Sequence, residues 1–411
     1  MLLELALLVI PGLANLGFFN FKILKIASIA SAILTLAISI YFYFSPQSVT
    51  GIFFISKFNS IFLVMIASIY LLSAVYSTRY IEKGKLVNEK LYYVLMNFFV
   101  ITMLFAVTIN NFGLMWVGIE LTTVSSALLI PIETSETSLE ATWRYIIIVS
   151  AGVTIALFSV ILIYYQYHTL TVSEIISKPE DDIITRLAVT LGLIGFGTKV
   201  GVFPMYTWLP DAHSEAPSPV SALFSGVLLP SALYVLFRVY QIDPLPIVFT
   251  WFGVVSIVTV AIILTYQWHI KRMFAYSTIE NMNLALIGLA IGQPIGALIL
   301  LFAHAFGKAG AFYSSGVVLK LLEEKRIDNI TGLHKFKLTS TALLLSSLTV
   351  TGTPPFATFI GEFLILQTLI QQGFATEFII LLLSLATAFI SINYNVSKMI
   401  FSKQREDEEK K

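Results

Sequence analysis

The chain has 411 residues, of which 57% are hydrophobic and 12% are charged, and its formal net charge at pH 7 is +1. Soluble globular domains carry about 25% charged residues, so this deficit, with a mean hydropathy of +0.86, predicts a polytopic membrane protein. The net charge of +1 gives no reason to expect a nucleic-acid partner. The chain has no cysteine, which excludes iron–sulfur clusters, disulfides and cysteine-based zinc sites within it.

The N-terminal segment, MLLELALLVIPGLANLG, is apolar, has no basic stretch before the apolar run and carries Glu4. A cleaved secretory signal begins with positively charged residues. We therefore interpret this segment as the first membrane helix.

The chain contains about 13 segments that meet the requirement of a membrane helix, which is about 20 mostly apolar residues. They are residues 2–18, 23–44, 58–78, 91–109, 112–131, 143–166, 185–209, 217–240, 245–267, 273–291, 295–320, 339–371 and 376–400. The predicted fold is an all-α polytopic membrane protein with about 13 transmembrane helices.

Lys and Arg residues are unequally distributed between the loops on the two sides of this arrangement. Most of the 25 lie on one side when successive spans alternate in direction, and such an excess marks the cytoplasmic side. The distribution predicts a multi-pass protein of the cell membrane with its N-terminus outside. The C-terminus is cytoplasmic, with residues 403–411 as a charged tail.

The seventh predicted span contains both a charge and a helix breaker. Residues 195–210, GFGTKVGVFPMYTWLP, place Lys199 within an apolar run and Pro204 five residues later. A lysine at the centre of a bilayer costs roughly 2.5–3.5 kcal/mol on insertion scales, and a mid-helix proline removes a backbone hydrogen bond. We predict a discontinuous helix here, broken at Pro204.

The twelfth predicted span is interrupted in the same way. Residues 343–370 include Gly352, Pro354 and Pro355 near their middle, and Glu362 follows the prolines. Two consecutive prolines do not continue a regular helix, and carbonyl groups released at that depth need protein or water partners. We therefore predict a second discontinuous helix.

The two interrupted spans occupy matching places in the chain. An N-terminal three-helix region at residues 1–80 precedes two blocks of five spans, residues 91–240 and 245–402, and each break falls in the fourth span of its block. An odd number of spans per block predicts inverted repeats, in which paired broken helices mark an ion or substrate pathway near the midplane. The alternative is two independent kinks that only shape the bundle.

Five titratable residues are predicted to lie deep within spans. Of the five histidines in the chain, only His304 is among them. Such residues are costly in a membrane and commonly mark proton relays or ion paths. A Glu–Lys pair can hold or release a proton as it forms and breaks, although static structural ion pairs remain the alternative. Haem ligation by two histidines is not expected. The five residues are Glu120, Lys199, His304, Lys308 and Glu362.

Several sequence motifs resemble those of one membrane family, the antiporter-like subunits of respiratory complex I, Mrp cation/proton antiporters and membrane-bound energy-converting hydrogenases. The resemblance extends over residues 90–370. Within it, the sequence DAHSEAPSPVSALFSGVLL resembles the hydrogenase-type branch more than the others. The motifs are GTKVGVFPMYTWLPDAHSEAPSPVSALFSG (197–226), MWVGIEL (115–121), KRMFAYSTIENMN (271–283), AHAFGKAGAF (303–312) and GTPPFATFIGEF (352–363).

The resemblance implies roles for the deep titratable residues. Glu120 and Lys199 match the family's central ion pair, on its fifth and seventh helices. His304 and Lys308 match relay positions on its eleventh helix, and Glu362 matches a twelfth-helix position that is Lys in some members and Glu in others. Family members pump protons, or exchange sodium for protons, within larger complexes.

The eighth helix departs from the family pattern. Many members have a lysine where Pro230 falls, or a histidine near Ser225. We expect water or polar side chains to bridge that gap in any relay. The candidates are Ser221, Ser225, Ser231 and His213.

The sequence therefore predicts a non-redox, ion-pumping subunit of a redox-driven oxidoreductase complex, with protons or sodium as the ion. We expect no cofactor and no metal site in this chain, but iron–sulfur clusters and a metal centre in partner subunits that form a peripheral redox arm. Two alternatives are a subunit of an Mrp-type Na⁺/H⁺ antiporter without a redox partner and a scaffold subunit whose pathway has decayed at Pro230.

Overall fold

The computed structural model describes residues 2–46, 49–81, 88–133, 135–180 and 182–402, and the predicted tail at 403–411 lies outside this part of the chain. The described residues form 17 α-helices. In chain order they are α1 (Leu2–Leu13), α2 (Phe21–Phe44), α3 (Lys57–Tyr80), α4 (Glu89–Thr108), α5 (Phe112–Leu129), α6 (Glu136–Tyr167), α7 (Val172–Ser177), α8 (Ile183–Val200), α9 (Trp208–Glu215), α10 (Ser218–Leu223), α11 (Leu229–Tyr240), α12 (Pro246–Leu264), α13 (Ile270–Ala290), α14 (Pro294–Leu322), α15 (Lys337–Val350), α16 (Ala357–Gln371) and α17 (Ala375–Phe401).

Among the described residues, 11 helical segments are long and apolar enough to cross a membrane. The other two predicted spans fall on α13, which carries several polar residues, and on α15 with α16, which are short because the chain is broken between them. The prediction of an all-helical, multi-pass membrane protein is confirmed.

Short polar side chains begin many of the helices in the first half of the chain. They accept hydrogen bonds from backbone N–H groups that have no partner within the first helical turn. At α6, reciprocal bonds between Ser135 and Ser138 start the helix at Glu136, earlier than the predicted residue 143. The other caps are Asn20 at α2, Ser56 at α3, Asn88 at α4, Asn111 at α5 and Asp182 at α8.

Two segments form the centre of the bundle, residues 218–240 and α13, and nearly all their side chains are buried. In contrast, α1, α2 and α17 expose many large apolar side chains, which suits contact with lipid or with other membrane subunits. The polar residues of α13 therefore lie inside the protein and away from the bilayer.

Small residues bring α6 and α8 into close contact. A Cβ atom at Gly152 of α6 would collide with Thr198, and one at Gly195 of α8 would collide with the backbone of Ala156. Small residues permit such close packing between membrane helices. The contact presses the end of α8 against α6, which positions the residue after Thr198.

Candidate functional site

Lys199 lies in the last turn of α8 and is completely buried. Its Nζ donates hydrogen bonds to Thr123 Oγ1 on α5 at 3.0 Å and to Tyr145 OH on α6 at 2.5 Å. The ammonium also lies over the aromatic rings of Tyr145 and Trp208, at 4.8 and 5.9 Å from the centroids. A charge at this depth needs such compensation.

Glu120 lies on α5, three residues before Thr123, and is half-buried. It interacts electrostatically with Lys199. One carboxylate oxygen, Oε2, is buried and has no hydrogen-bond partner among the described residues. The structure thus brings together the two residues that the resemblance pairs, while the ammonium donates to hydroxyl groups.

The first helix break directly follows Lys199. Gly201 has a φ of +94°, which suits glycine, and the Phe203–Pro204 peptide bond is cis. A 3₁₀ turn at Met205–Thr207 then leads into α9. Pro204 lies inside the break, where the sequence places it.

Side chains from three elements bond to the backbone around this break. The donor and acceptor pairs are Trp208 Nε1 to Thr198 O at 3.0 Å, Asn283 Nδ2 to Gly201 O at 3.0 Å, and Phe203 N to Ser256 Oγ at 2.9 Å. Backbone polar groups in a membrane interior need partners. The surrounding helices supply them here.

The second break separates α15 from α16. Gly352 has a φ of +60° and the Pro354–Pro355 bond is cis. A Cβ atom at Gly352 would collide with the carboxylate of Glu362, so this carboxylate lies directly against the broken backbone. Asn281 Nδ2 on α13 donates to Val350 O at 2.9 Å, at the end of α15.

Lys308 and His304 are both completely buried on α14. Lys308 Nζ donates to Phe274 O on α13 at 2.7 Å and interacts electrostatically with Glu280. His304 lies close enough to interact electrostatically with Lys308 and His213. These residues form a second charged cluster, separate from Lys199.

His213 on α9 is also completely buried, which corrects the expectation that His304 is the only deep histidine. Its ring stacks on Phe312 at a centroid distance of 5.0 Å. Neither ring nitrogen has a hydrogen-bond partner within the described part of the chain. His213 interacts electrostatically with Lys271 and Lys308, so it belongs to the same cluster.

The three candidate serines of the eighth helix have different environments. Ser225 Oγ bonds to Thr278 Oγ1 on α13 at 2.6 Å. Ser221 Oγ donates to the carbonyl of His213 at 2.9 Å, and Ser231 Oγ donates to a carbonyl one turn earlier in its own helix. Ser225 alone of the three bonds to a hydroxyl on another helix.

A wide helical turn lies directly before Pro230. Residues Phe224–Leu228 form a π-turn, in which N–H groups bond to carbonyls five residues earlier. Proline has no N–H, so the carbonyl of Ser225 lacks that donor, and the ring of His304 lies near it without a hydrogen bond to any described residue. The residue that departs from the family pattern thereby exposes a polar backbone group to the buried cluster.

Sequence reasoning missed several residues of this site. Glu280 is 4% exposed on α13, and a charge within the predicted span 273–291 was a signal that could have found it. The hydroxyls of Thr123 and Tyr145 had no such signal, because their role depends on contacts between helices. Within the described residues, no group of three or more His, Asp or Glu side chains is placed to hold a metal ion.

Known proteins are similar to this chain in sequence and in fold. A hydrogenase-4 component F homolog from Methylacidiphilum infernorum (isolate V4) is 31% identical over 360 residues, which is 80% of this chain and 75% of that protein. A chain of the membrane-bound sulfane sulfur reductase, an archaeal respiratory membrane complex, has the same fold with a TM-score of 0.88, at 21% identity and over 98% of this chain and 90% of that one.

A chain of respiratory complex I from Thermus thermophilus with bound aureothin also has this fold, with a TM-score of 0.85 at 20% identity, over 98% of this chain and 91% of that one. Residues 109–391 match the family model described as NADH:quinone oxidoreductase/Mrp antiporter, transmembrane. The resemblance found in the motifs is confirmed. The chain belongs to the family of antiporter-like membrane subunits of the NADH:quinone oxidoreductase/Mrp antiporter type.

Proposed function

We propose that the chain is the ion-translocating subunit of a multisubunit, redox-driven membrane complex of the membrane-bound hydrogenase or complex I type. The observation that carries the proposal is that a buried or half-buried charged side chain lies beside each helix break. Lys199 and Glu120 lie at the first break, and Glu362 lies against the second. Charges are expensive in a membrane interior and mark ion pathways.

Within this proposal, residues 91–240 and 245–402 are two inverted five-helix repeats that follow an N-terminal region at residues 1–80. The discontinuous helices are α8 with α9 and α15 with α16. Such pairs line the ion site at the repeat interface. The N-terminus is outside and the C-terminus is cytoplasmic, as the distribution of Lys and Arg favours.

The relay runs from Glu120 and Lys199 to His304 and Lys308, and on to Glu362. Ser225 and His213 support the step at Pro230, because the first bonds to Thr278 and the second lies in the Lys308 cluster. Protons are the ion that lysine side chains can pass on, since an ammonium group has no free electron pair for sodium.

Partner subunits supply the redox chemistry in this proposal. The chain has no cysteine to hold an iron–sulfur cluster, and the similar protein from Methylacidiphilum is named as a hydrogenase component homolog. The expected partners are other membrane subunits and a peripheral arm with iron–sulfur clusters and a metal centre. In this proposal the chain translocates ions within the complex and carries out no redox chemistry itself.

The proposal is tested by Lys199→Ala in the complex purified with its natural partners and placed in vesicles. We expect the rate of ion translocation to fall by about 100-fold or more, the scale of losing a proton-transfer group. The control is Lys57→Ala, which removes an exposed lysine at the start of α3. Full pumping by Lys199→Ala at normal redox turnover would reject the proposal in favour of a scaffold role.

The family description also includes Mrp antiporters, which makes an Mrp-type Na⁺/H⁺ antiporter subunit the second candidate. The two candidates differ in their partners. Co-purification of the native chain with iron–sulfur proteins supports the redox complex. Sodium-dependent proton exchange by a purified assembly that lacks any redox centre supports the antiporter.

A further inference from the structure

Helix α13 carries a short polar segment, Glu280-Asn281-Met282-Asn283, at the centre of the bundle. Glu280 is 4% exposed, and its Oε2 atom has no hydrogen-bond partner in the part of the chain that the structure describes. A buried carboxylate with a free oxygen is costly unless a nearby charge compensates it. The burial of the Glu280 carboxylate in this segment therefore calls for a structural or functional explanation.

The two asparagines connect this segment to both helix breaks. Asn283 Nδ2 donates to Gly201 O at 3.0 Å, at the first break. Asn281 Nδ2 donates to Val350 O at 2.9 Å, at the second. The same helix therefore satisfies a carbonyl at each of the two discontinuities, and Glu280 belongs to the same segment of that helix.

Glu280 also lies near two charged residues. It interacts electrostatically with Lys308 on α14 and with Glu362 on α16. Lys308 stabilises the carboxylate of Glu280, whereas two neighbouring carboxylates disfavour being ionised together. A proton on one carboxylate therefore favours the ionised form of the other.

Buried hydroxyl groups accompany both carboxylates along the chain. Ser277 lies one turn before Glu280, and Thr358 lies one turn before Glu362, each on the same face of its helix. Thr353 lies in the second break. The hydroxyls of all three are buried without a partner among the described residues, so they are available to carry hydrogen bonds.

We propose that Glu280 is a further proton-carrying residue, which accepts a proton from Lys308 and passes it to Glu362. In the first step, the ammonium of Lys308 becomes a neutral amine and Glu280 becomes a carboxylic acid. In the second step, the proton passes to the carboxylate of Glu362, and Glu280 returns to its anion.

This proposal rests on the proposed function, so its test uses the same vesicles with the native complex. Glu280→Gln keeps the size and hydrogen-bonding capacity of the side chain but removes the ionisable group. We expect proton uptake per electron to fall well below the wild-type value and the uptake rate to fall about tenfold or more. Glu280→Asp restores a carboxylate and is expected to retain the ratio with slower uptake.

The control is Glu377→Gln, which removes another buried carboxylate, in the first turn of α17. We expect wild-type proton uptake from it. Uptake by Glu280→Gln at the wild-type rate and ratio overturns the assignment. If the Gln variant does not assemble, a wild-type uptake rate in Glu280→Asp overturns it, because the shorter side chain lengthens both transfers.

The failure of this inference is distinguishable from that of the proposed function. A wild-type complex that translocates no ions, or a Lys199→Ala complex that pumps fully, rejects the proposed function. Loss of pumping in Lys199→Ala together with normal pumping in Glu280→Gln rejects only the role of Glu280.

Discussion

The two helix breaks use the same backbone arrangement but place opposite charges beside it. Each has a glycine with positive φ and a cis X–Pro bond, and each has a carbonyl bound by an asparagine of α13. The first holds the fully buried cation of Lys199, and the second holds the half-buried carboxylate of Glu362. Each broken helix in this chain therefore has a charged side chain beside it, a lysine at the first break and a glutamate at the second.

The groups that contact the charged side chain also differ between the two breaks. Lys199 is compensated by hydroxyls and aromatic faces that lie on neighbouring helices. Glu362 lies against the backbone of its own break, at Gly352. The first site therefore depends on packing between helices, whereas the second depends on the absence of a side chain at one position.

The largest effect is expected from Gly352→Ala. A left-handed φ costs an alanine roughly 1–2 kcal/mol, and the new Cβ would also collide with the Glu362 carboxylate. The matched control is Gly373→Ala, which has a φ of +84° and nothing within 4 Å of the added atom. Thermal unfolding in detergent should show a clearly larger loss of stability for Gly352→Ala than for Gly373→Ala. Equal losses would show that the contact between Gly352 and the Glu362 carboxylate does not affect stability.

Intermediate effects are expected from Asn281→Ala and Asn283→Ala. Each leaves a buried carbonyl without its side-chain donor, which costs about 1–3 kcal/mol. Asn283→Ala should mainly disturb the break beside Lys199, and Asn281→Ala the break beside Glu362. Hydrogen exchange of the peptides around residues 201–207 and 351–356 measures this, and identical exchange patterns in the two variants would contradict separate roles.

The smallest effect on stability is expected from Tyr145→Phe, which removes one hydroxyl that accepts a hydrogen bond from Lys199. The cost should be about 1 kcal/mol, with slower ion translocation because the ammonium loses a partner. Tyr93→Phe is the control, since the buried hydroxyl of Tyr93 has no partner within the described residues. Equal translocation rates in the two variants would show that Tyr145 acts only as packing.

Much of the site could be predicted because its signals are local in the sequence. Prolines and glycines within apolar spans indicate breaks, and Lys199, Lys308 and Glu362 are conspicuous as charges in such spans. Glu280 carried the same signal in the span 273–291 and was overlooked. The asparagines of α13 could not be assigned, because their partners lie 82 and 69 residues away in the chain.

By itself, the sequence determined that the protein is an all-helical membrane protein with two interruptions and charges beside them, because composition, apolar length and proline chemistry act over a few residues. Only the tertiary structure decided what compensates each charge. Thr123 and Tyr145 at Lys199 and Glu280 near Lys308 all come from other helices. Compensation of a buried charge depends on distance in space, which the linear order of residues does not specify.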